Sequence, residues 1–503
     1  MAVFYFMATI RKQSIYSSIY IYAGFVFGAI NVLYFFPKFF TPEQFGLTRI
    51  LMDIALIFST LCTAGMIPIA MKFSPFYQHH LSKDKNDLFT ITFFIAIVAC
   101  VIFYFFLPYL YPLIIRKFGF RSPLLIDYIE WIYPMVVGLV IFALLEAYAW
   151  IVSKNVASNF LKEFFYRILV TILILLWSFK IIKSFNLFIG IYALLYVPLI
   201  LILGWIIFKS NFFRICFTQS RITKKFAPMM LKFGGAYFLS ALLNILAKTN
   251  DTIIIASQST GGLRDAAIFT IATYLITLMD VPQRSMASSA TAQIAKAWRD
   301  KDMAKINRLY KKTALTLLII ASAIMGAVMI NTNLIVKILG ETYSSLPLLM
   351  LILGFGKIIE LGTGMNAQIL QLSKHWRIDL FTNMFFVGIS IVLNYALTKK
   401  LGIIGTAYGS VIAIFLYNFI RFIYIKNIYK LQPFTFQNLI AFLIAIGLAI
   451  ALYFTNFSNN IYINQCIKTI LFLGVYGYLI IKLNISVDIN ELYEELKKKV
   501  LHR

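Results

Sequence analysis

The stretch "LLNILAKTNDTIIIA" (residues 242–256) sets two full charges, Lys248 and Asp251, inside a run that is otherwise almost wholly apolar. Its length and apolarity suit a membrane span, and its charges raise the question of what a span would do with them. The rest of the chain answers the first point. Its 503 residues are 61% hydrophobic and 13% charged, with 48 Phe and 29 Tyr, and the mean hydropathy is +0.83. These values lie outside the range of a soluble domain. Apolar stretches of about 20 residues recur along the whole length, so the unit to count is the transmembrane helix. About fourteen are expected, near residues 15–36, 47–69, 88–112, 128–150, 164–182, 186–208, 234–258, 266–289, 313–330, 346–370, 379–397, 403–425, 437–455 and 464–482. The connections are too short to hold a soluble domain. The expected fold class is an all-α integral membrane protein.

A formal charge of +26 in a soluble protein would suggest nucleic acid. In a membrane protein it is first weighed against the positive-inside rule. With the N-terminus inside, most Lys and Arg fall in cytoplasmic segments. The outer side receives Lys38, Arg49, Arg116, Lys117, Arg121, Lys180, Lys183, Arg264, Lys337, Lys399 and Lys400, while Lys248, Arg284, Lys357 and Lys468 lie within helices. This asymmetry places both termini in the cytoplasm and leaves no need for nucleic acid. Cys62, Cys100, Cys216 and Cys466 have no CxxC or metal spacing and read as packing residues. The adjacent His79 and His80 read as a solvated loop, because neighbouring side chains diverge. Arg11 and Lys12 follow the first apolar stretch, so the first helix reads as retained; residues 1–6 read as an extension ahead of a start at Met7.

Three weak self-matches share an offset of about 215–221 residues: "EQFGLTRILMDIALI" (43–57) with "RDAAIFTIATYLITL" (264–278), "SKNVASNFLKEFF" (153–165) with "SKHWRIDLFTNMFF" (373–386), and "LFIGIYA" (187–193) with "GIIGTAY" (402–408). Their common order indicates two copies of a six-helix bundle. Six is even, so the repeat is parallel and the last two helices are an addition. The expected division is 1–210 for the first lobe, 211–430 for the second, and 431–503 for helices 13 and 14 with an amphipathic cytoplasmic tail. Two facing bundles would enclose a cavity. The basic segment "AQIAKAWRDKDMAKINRLYKK" (292–312) and the tail "DINELYEELKKKV" (488–500) both read as amphipathic helices lying on the inner leaflet.

A charge at mid-membrane costs roughly 2.5–3.5 kcal/mol on insertion scales, so these groups must face protein or water. Asn244, Lys248 and Asp251 follow helical spacing and share one face. Thr273, Thr277, Asp280, Arg284 and Ser288 repeat the pattern, with Pro282 expected to bend the helix beside them. Lys357, Glu360, Gly364, Gln368 and Gln371 make a third polar stripe, and helix 1 adds Ser17, Tyr20, Gly24 and Asn31. One reading is three neutralised intrahelical pairs, Lys248 with Asp251, Asp280 with Arg284, and Lys357 with Glu360. The preferred reading is a hydrated polar cavity, because three such stripes each carry an insertion cost. Asp53 and Glu146 stand as lone acids in the first half, where a carboxylate in low dielectric is a candidate carrier of a proton or cation. No phosphate loop, HExxH, GxSxG or acid-rich outer loop is present in the sequence, so covalent catalysis and a resident cofactor are not expected.

Three segments, "TPEQFGLTRIL" (41–51), "AAIFTIATYLITLMDVPQRSMASSATAQIAKAW" (266–298) and "ILGETYSSLPLLMLILGFGKIIELGTGMNAQILQLSKHWR" (338–377), together with the helix count, resemble the oligosaccharide flippases of the multidrug/oligosaccharidyl-lipid/polysaccharide exporter superfamily. That resemblance implies two parallel six-helix bundles of the multidrug-exporter type plus two C-terminal helices, in a bacterial cytoplasmic membrane. It implies an undecaprenyl-diphosphate-linked oligosaccharide carried outward by alternating access for O-antigen or capsule, with H+ or Na+ as the coupling ion. Membrane lipids, a polysaccharide polymerase and glycosyltransferases are the implied partners. On this view Lys248, Arg284 and Lys357 face the diphosphate and Arg49 guards the outer mouth. Asp251, Asp280, Glu360, Asn244, Gln368, Asp53 and Glu146 line the cavity or serve coupling. A cation-coupled multidrug exporter, a lipid II flippase and a non-transporting scaffold for glycan enzymes are the alternatives.

Overall fold

The computed structural model describes residues 16–17, 19–210, 215–486, 489–491 and 493–494, and every regular element among them is helical. Among the described residues, eleven helices are long and apolar enough to cross a membrane. The longest, Trp376–Tyr429, is two spans divided at Gly402, whose φ of 61° and ψ of −145° are accessible to glycine and closed to other L-residues. Two more spans are absent from those eleven. Helix 155–178 carries Lys162, Glu163 and Arg167, and helix 262–299 is interrupted. Dividing one and adding two brings eleven to fourteen among the described residues.

These are α1 (Ile19–Phe39), α2 (Pro42–Thr63, continued by Met66–His80), α3 (Leu88–Phe118), α4 (Ile129–Ile151), α5 (155–178), α6 (Phe185–Lys209), α7 (Arg221–Gln258), α8 (Gly262–Thr277 and Asp280–Arg299), α9 (Met303–Ile330), α10 (Leu346–Gly362, continued by Asn366–Gln371), α11 (376–401), α12 (403–429), α13 (Phe436–Phe454) and α14 (Ile461–Lys482). His79 and His80 end the second part of α2 rather than lying in a loop. The proposed extension at residues 1–6 lies outside the described residues, as does most of the tail helix at 488–500.

The chain forms two compact units, Met1–Ala267 and Ile268–Arg503. In the first, Ala70, Phe89, Leu145, Tyr148, Leu161, Leu199 and Leu203 bring α2 to α6 into one core. Helix α7 is fixed to this unit at both ends. At its start Asp87 Oδ2 accepts from the Thr223 hydroxyl and from the Ser220 N–H, a backbone donor that the helix itself leaves open, each at 2.8 Å. At its end the Arg121 guanidinium donates to the carbonyls of Ser257 and Gln258, and Ser122 Oγ donates to Ala256 O at 2.7 Å. In the second unit Leu315, Leu318, Ile319, Ala441, Ala445, Tyr476 and Ile480 pack α9, α13 and α14 together. Lipid is as apolar as leucine, so such helices associate through close packing and hydrogen bonds. Exposed Phe94, Phe105, Leu201 and Trp205 on α3 and α6 are ordinary lipid-facing residues.

Each unit also contains a broken helix. Helix α2 breaks at Ala64–Gly65 and α8 breaks at Leu278–Met279, close to the repeat offset. Pro282 interrupts α8 as the sequence leads one to expect: its ring excludes the carbonyl four residues earlier, that of Leu278, so the break falls at Leu278–Met279 and Pro282 sits in the first turn of the new helix, where its missing N–H is not needed. Helix α10 breaks at Thr363–Met365, where Gly364 takes φ +60° and a Cβ would lie 2.9 Å from Ala314 N of α9. The basic segment 292–312 is a second correction. It is no separate surface helix but the end of α8 and the start of α9, turned within residues 300–302 by Lys301 at φ 55° and the Asp302 cap on Lys305 N. Its apolar stripe, Ile294, Ile306 and Tyr310, is buried in protein and not in lipid.

Candidate functional site: charge clusters within the spans

In the second unit the breaks of α8 and α10 carry a three-residue ionic cluster. Asp280 is the first residue of the new helix in α8, where the partial positive charge of a helix N-terminus favours a carboxylate. Lys357 and Glu360 lie in the last two turns of α10 before its break, toward the end that favours a cation. Lys357 Nζ stands 2.7 Å from Asp280 Oδ1 and 2.8 Å from Glu360 Oε2, with side-chain exposures of 16%, 14% and 33% for Lys357, Asp280 and Glu360. The lysine therefore joins two helices, one contact being the i,i+3 pair read from the sequence and the other a contact across helices. The Asp280–Arg284 pair of the alternative reading is not formed, because Asp280 turns to Lys357; Arg284 is exposed, without an ion pair among the described residues. Thr273 and Thr277 donate to carbonyls of their own helix, Phe269 O and Tyr274 O. The Ser288 side chain lies outside what is described. Gln368 is half-buried, and Gln371 is drawn to another acid, Asp379, at 3.1 Å.

In the first unit Asp53 is fully buried on α2, and its Oδ2 accepts from Arg49 Nε at 3.0 Å and from Thr252 Oγ1 of α7 at 2.5 Å. The Arg49 side chain remains 39% exposed. Glu146 of α4 receives Lys162 Nζ of α5 at 2.9 and 3.2 Å. Neither acid is alone, which corrects the sequence reading. Arg49 lies one helical turn away along α2, whereas Lys162 approaches Glu146 from another helix through a π-helical turn at Phe160–Phe165 that the sequence pattern does not reveal. On α7, Lys248 and Asn244 are exposed and Asp251 is half-buried. Asn244 donates to Ser240 O, and Lys248 has no ion pair among the described residues, so it is not neutralised by Asp251.

One charged pair escapes sequence reasoning. Arg421 of α12, 1% exposed, pairs with Asp379 of α11, donates to Thr382 Oγ1 at 3.0 Å and lies 4.0 Å from the Tyr417 ring centroid. One turn earlier Asn418 Oδ1 accepts from Thr363 Oγ1 and Asn366 Nδ2, at 3.0 and 2.9 Å, and so holds the α10 break. Arg421 and Asp379 are separated by an entire helical hairpin, and no local spacing signals their contact. Lys468 of α14 is explained locally: it donates to Tyr453 O near the C-terminal end of α13, where a cation is favoured. What these arrangements offer is electrostatic. Among the described residues Lys248 and Arg284 are cations without an ion pair, Arg49 is held by the buried carboxylate of Asp53, and Lys357 by the partly buried carboxylates of Asp280 and Glu360.

No protein-family model and no curated protein matches the chain. Solved structures do. The lipid II flippase MurJ in an inward closed conformation matches with a TM-score of 0.71 and 16% identity, over 94% of this chain and 100% of that one. An inward-facing multidrug-resistance transporter of the MATE family, in the MOP superfamily, matches with a TM-score of 0.57 and 16% identity, over 82% of this chain and 94% of that one. Identity this low speaks for fold alone, and on that ground the chain is an all-α membrane protein with the helical fold shared by these flippase and exporter structures.

Proposed function

We propose that the chain is a flippase that carries a polyprenyl-diphosphate-linked oligosaccharide from the inner to the outer leaflet of a bacterial cytoplasmic membrane, by alternating access, for assembly of a surface polysaccharide. The observation that carries this reading is the set of cations within apolar spans, Lys248 and Arg284 exposed and Lys357 and Arg49 anchored by acids, on a flippase-like fold. An exposed cation in a span is costly unless it meets water or an anion, and a diphosphate supplies oxygens for charge-assisted hydrogen bonds. The sugars need hydration, while the polyprenyl tail can stay in lipid. A proton or sodium gradient drives the cycle, and both termini face the cytoplasm.

A second reading has lipid II itself as cargo. It is favoured by the extent of the likeness to MurJ, 94% of this chain against 82% for the multidrug transporter. Both readings share a diphosphate-linked glycolipid. The deciding experiment depletes the protein, measures the lipid-linked glycan pool and assigns its leaflet with an impermeant probe. Accumulation on the inner leaflet supports flipping, and mass spectrometry of the glycan separates oligosaccharide from lipid II. An unchanged pool with raised sensitivity to cationic drugs would replace both readings with drug export.

A further inference from the structure

The Asp280–Lys357–Glu360 cluster has the dimensions of a cation site. Both carboxylates reach the same ammonium, so their contacting oxygens are no farther apart than the sum of 2.7 and 2.8 Å, about 5.5 Å. A bare cation of the radius of Ca2+, which Na+ nearly shares, takes oxygens at about 2.3–2.6 Å, so ligands on opposite sides stand about 4.6–5.2 Å apart. The same two oxygens can therefore close on Na+ with little movement. The cation position lies near two helix breaks, a setting in which membrane transporters gather ionic groups. Emptying it would leave two mostly buried carboxylates facing one another, which their repulsion and desolvation oppose.

We propose that Asp280 and Glu360 form a monovalent-cation site whose resident occupant is the chain's own Lys357 ammonium, and that Na+ enters when the ammonium leaves. In the resting protein the site is closed to Na+. An anion that draws Lys357 away opens it, which links anion binding to uptake of one cation. The existence of the site does not depend on the glycolipid reading; only this linkage does.

The test uses purified full-length protein, with 22Na+ binding and thermal unfolding in NaCl against choline chloride. Wild type is expected to bind no Na+ saturably. Lys357→Met is expected to bind one Na+ per chain and to unfold a few degrees higher in NaCl than in choline. Adding Asp280→Asn or Glu360→Gln should abolish both effects. A folded Lys357→Met protein without saturable Na+ binding, or binding that survives the second substitution, overturns the proposal. If Lys357→Met fails to fold in choline, Lys357→Ala is assayed with methylammonium and with Na+. Rescue of the unfolding temperature by both supports the site; rescue by methylammonium alone, or by neither, overturns it. Pyrophosphate then probes the linkage. Na+ binding to wild type only when pyrophosphate is present supports it, whereas binding to the Lys357 variant but never to wild type keeps the site and removes the diphosphate from Lys357.

Discussion

Asp53 shows how a single carboxylate is made tolerable inside a membrane protein: one oxygen collects Arg49 Nε and Thr252 Oγ1, and thereby ties α2 to α7. Asp53→Ala removes the acceptor from both donors and is expected to lower stability by about 1.5–3 kcal/mol, as for hydrogen bonds to a charged group. Thermal unfolding in detergent would measure this, and an unchanged midpoint would mean that the contacts contribute nothing. Thr252→Val should cost less, since Arg49 stays paired. The i,i+4 spacing of Arg49 and Asp53 places both on one helix face, a signal that the reading of Asp53 as a lone acid passes over. The Lys357–Glu360 pair is legible for the same reason. The contacts of Asp280 with Lys357, Glu146 with Lys162 and Asp379 with Arg421 are not, for each joins different helices and depends on how those helices pack.

The breaks in the helices follow from local chemistry that the sequence only partly displays. Gly364 needs a left-handed φ and leaves no room for a Cβ against α9. Gly364→Ala should therefore cost at least about 1–2 kcal/mol from backbone conformation alone, with further loss from overlap with Ala314. Asp302→Ala tests the turn between α8 and α9, since loss of an N-cap acceptor costs about 0.5–2 kcal/mol. Both effects would appear as a lower unfolding temperature by size-exclusion after heating, and wild-type stability in either variant would contradict the assignment. The amphipathic pattern of 292–312 was a real signal with an ambiguous meaning. A stripe of Ile294, Ile306 and Tyr310 wants an apolar partner, and its period does not say whether lipid or protein supplies one.

For the whole chain, orientation and transport are the open measurements. On a cysteine-free background, Lys180→Cys is expected to react with an impermeant maleimide in intact cells, and Asp300→Cys only after permeabilisation; both residues are exposed in short turns. The reverse labelling would invert the topology. Arg284→Ala should abolish complementation of surface-polysaccharide synthesis at equal protein level, whereas retained complementation would remove this cation from the transport reading. Composition and hydropathy by themselves determine that the chain is a helical membrane protein of about fourteen spans, because the bilayer forces every spanning backbone group to bond within its own helix. The positive-inside bias and the repeat offset are likewise properties of the linear chain. The ionic partners are different: side chains from helices distant in sequence meet only after packing. Packing alone therefore decides that Lys357 serves two acids, that Arg284 and Lys248 have no ion pair among the described residues, and that α7 is bound at both ends to the first unit.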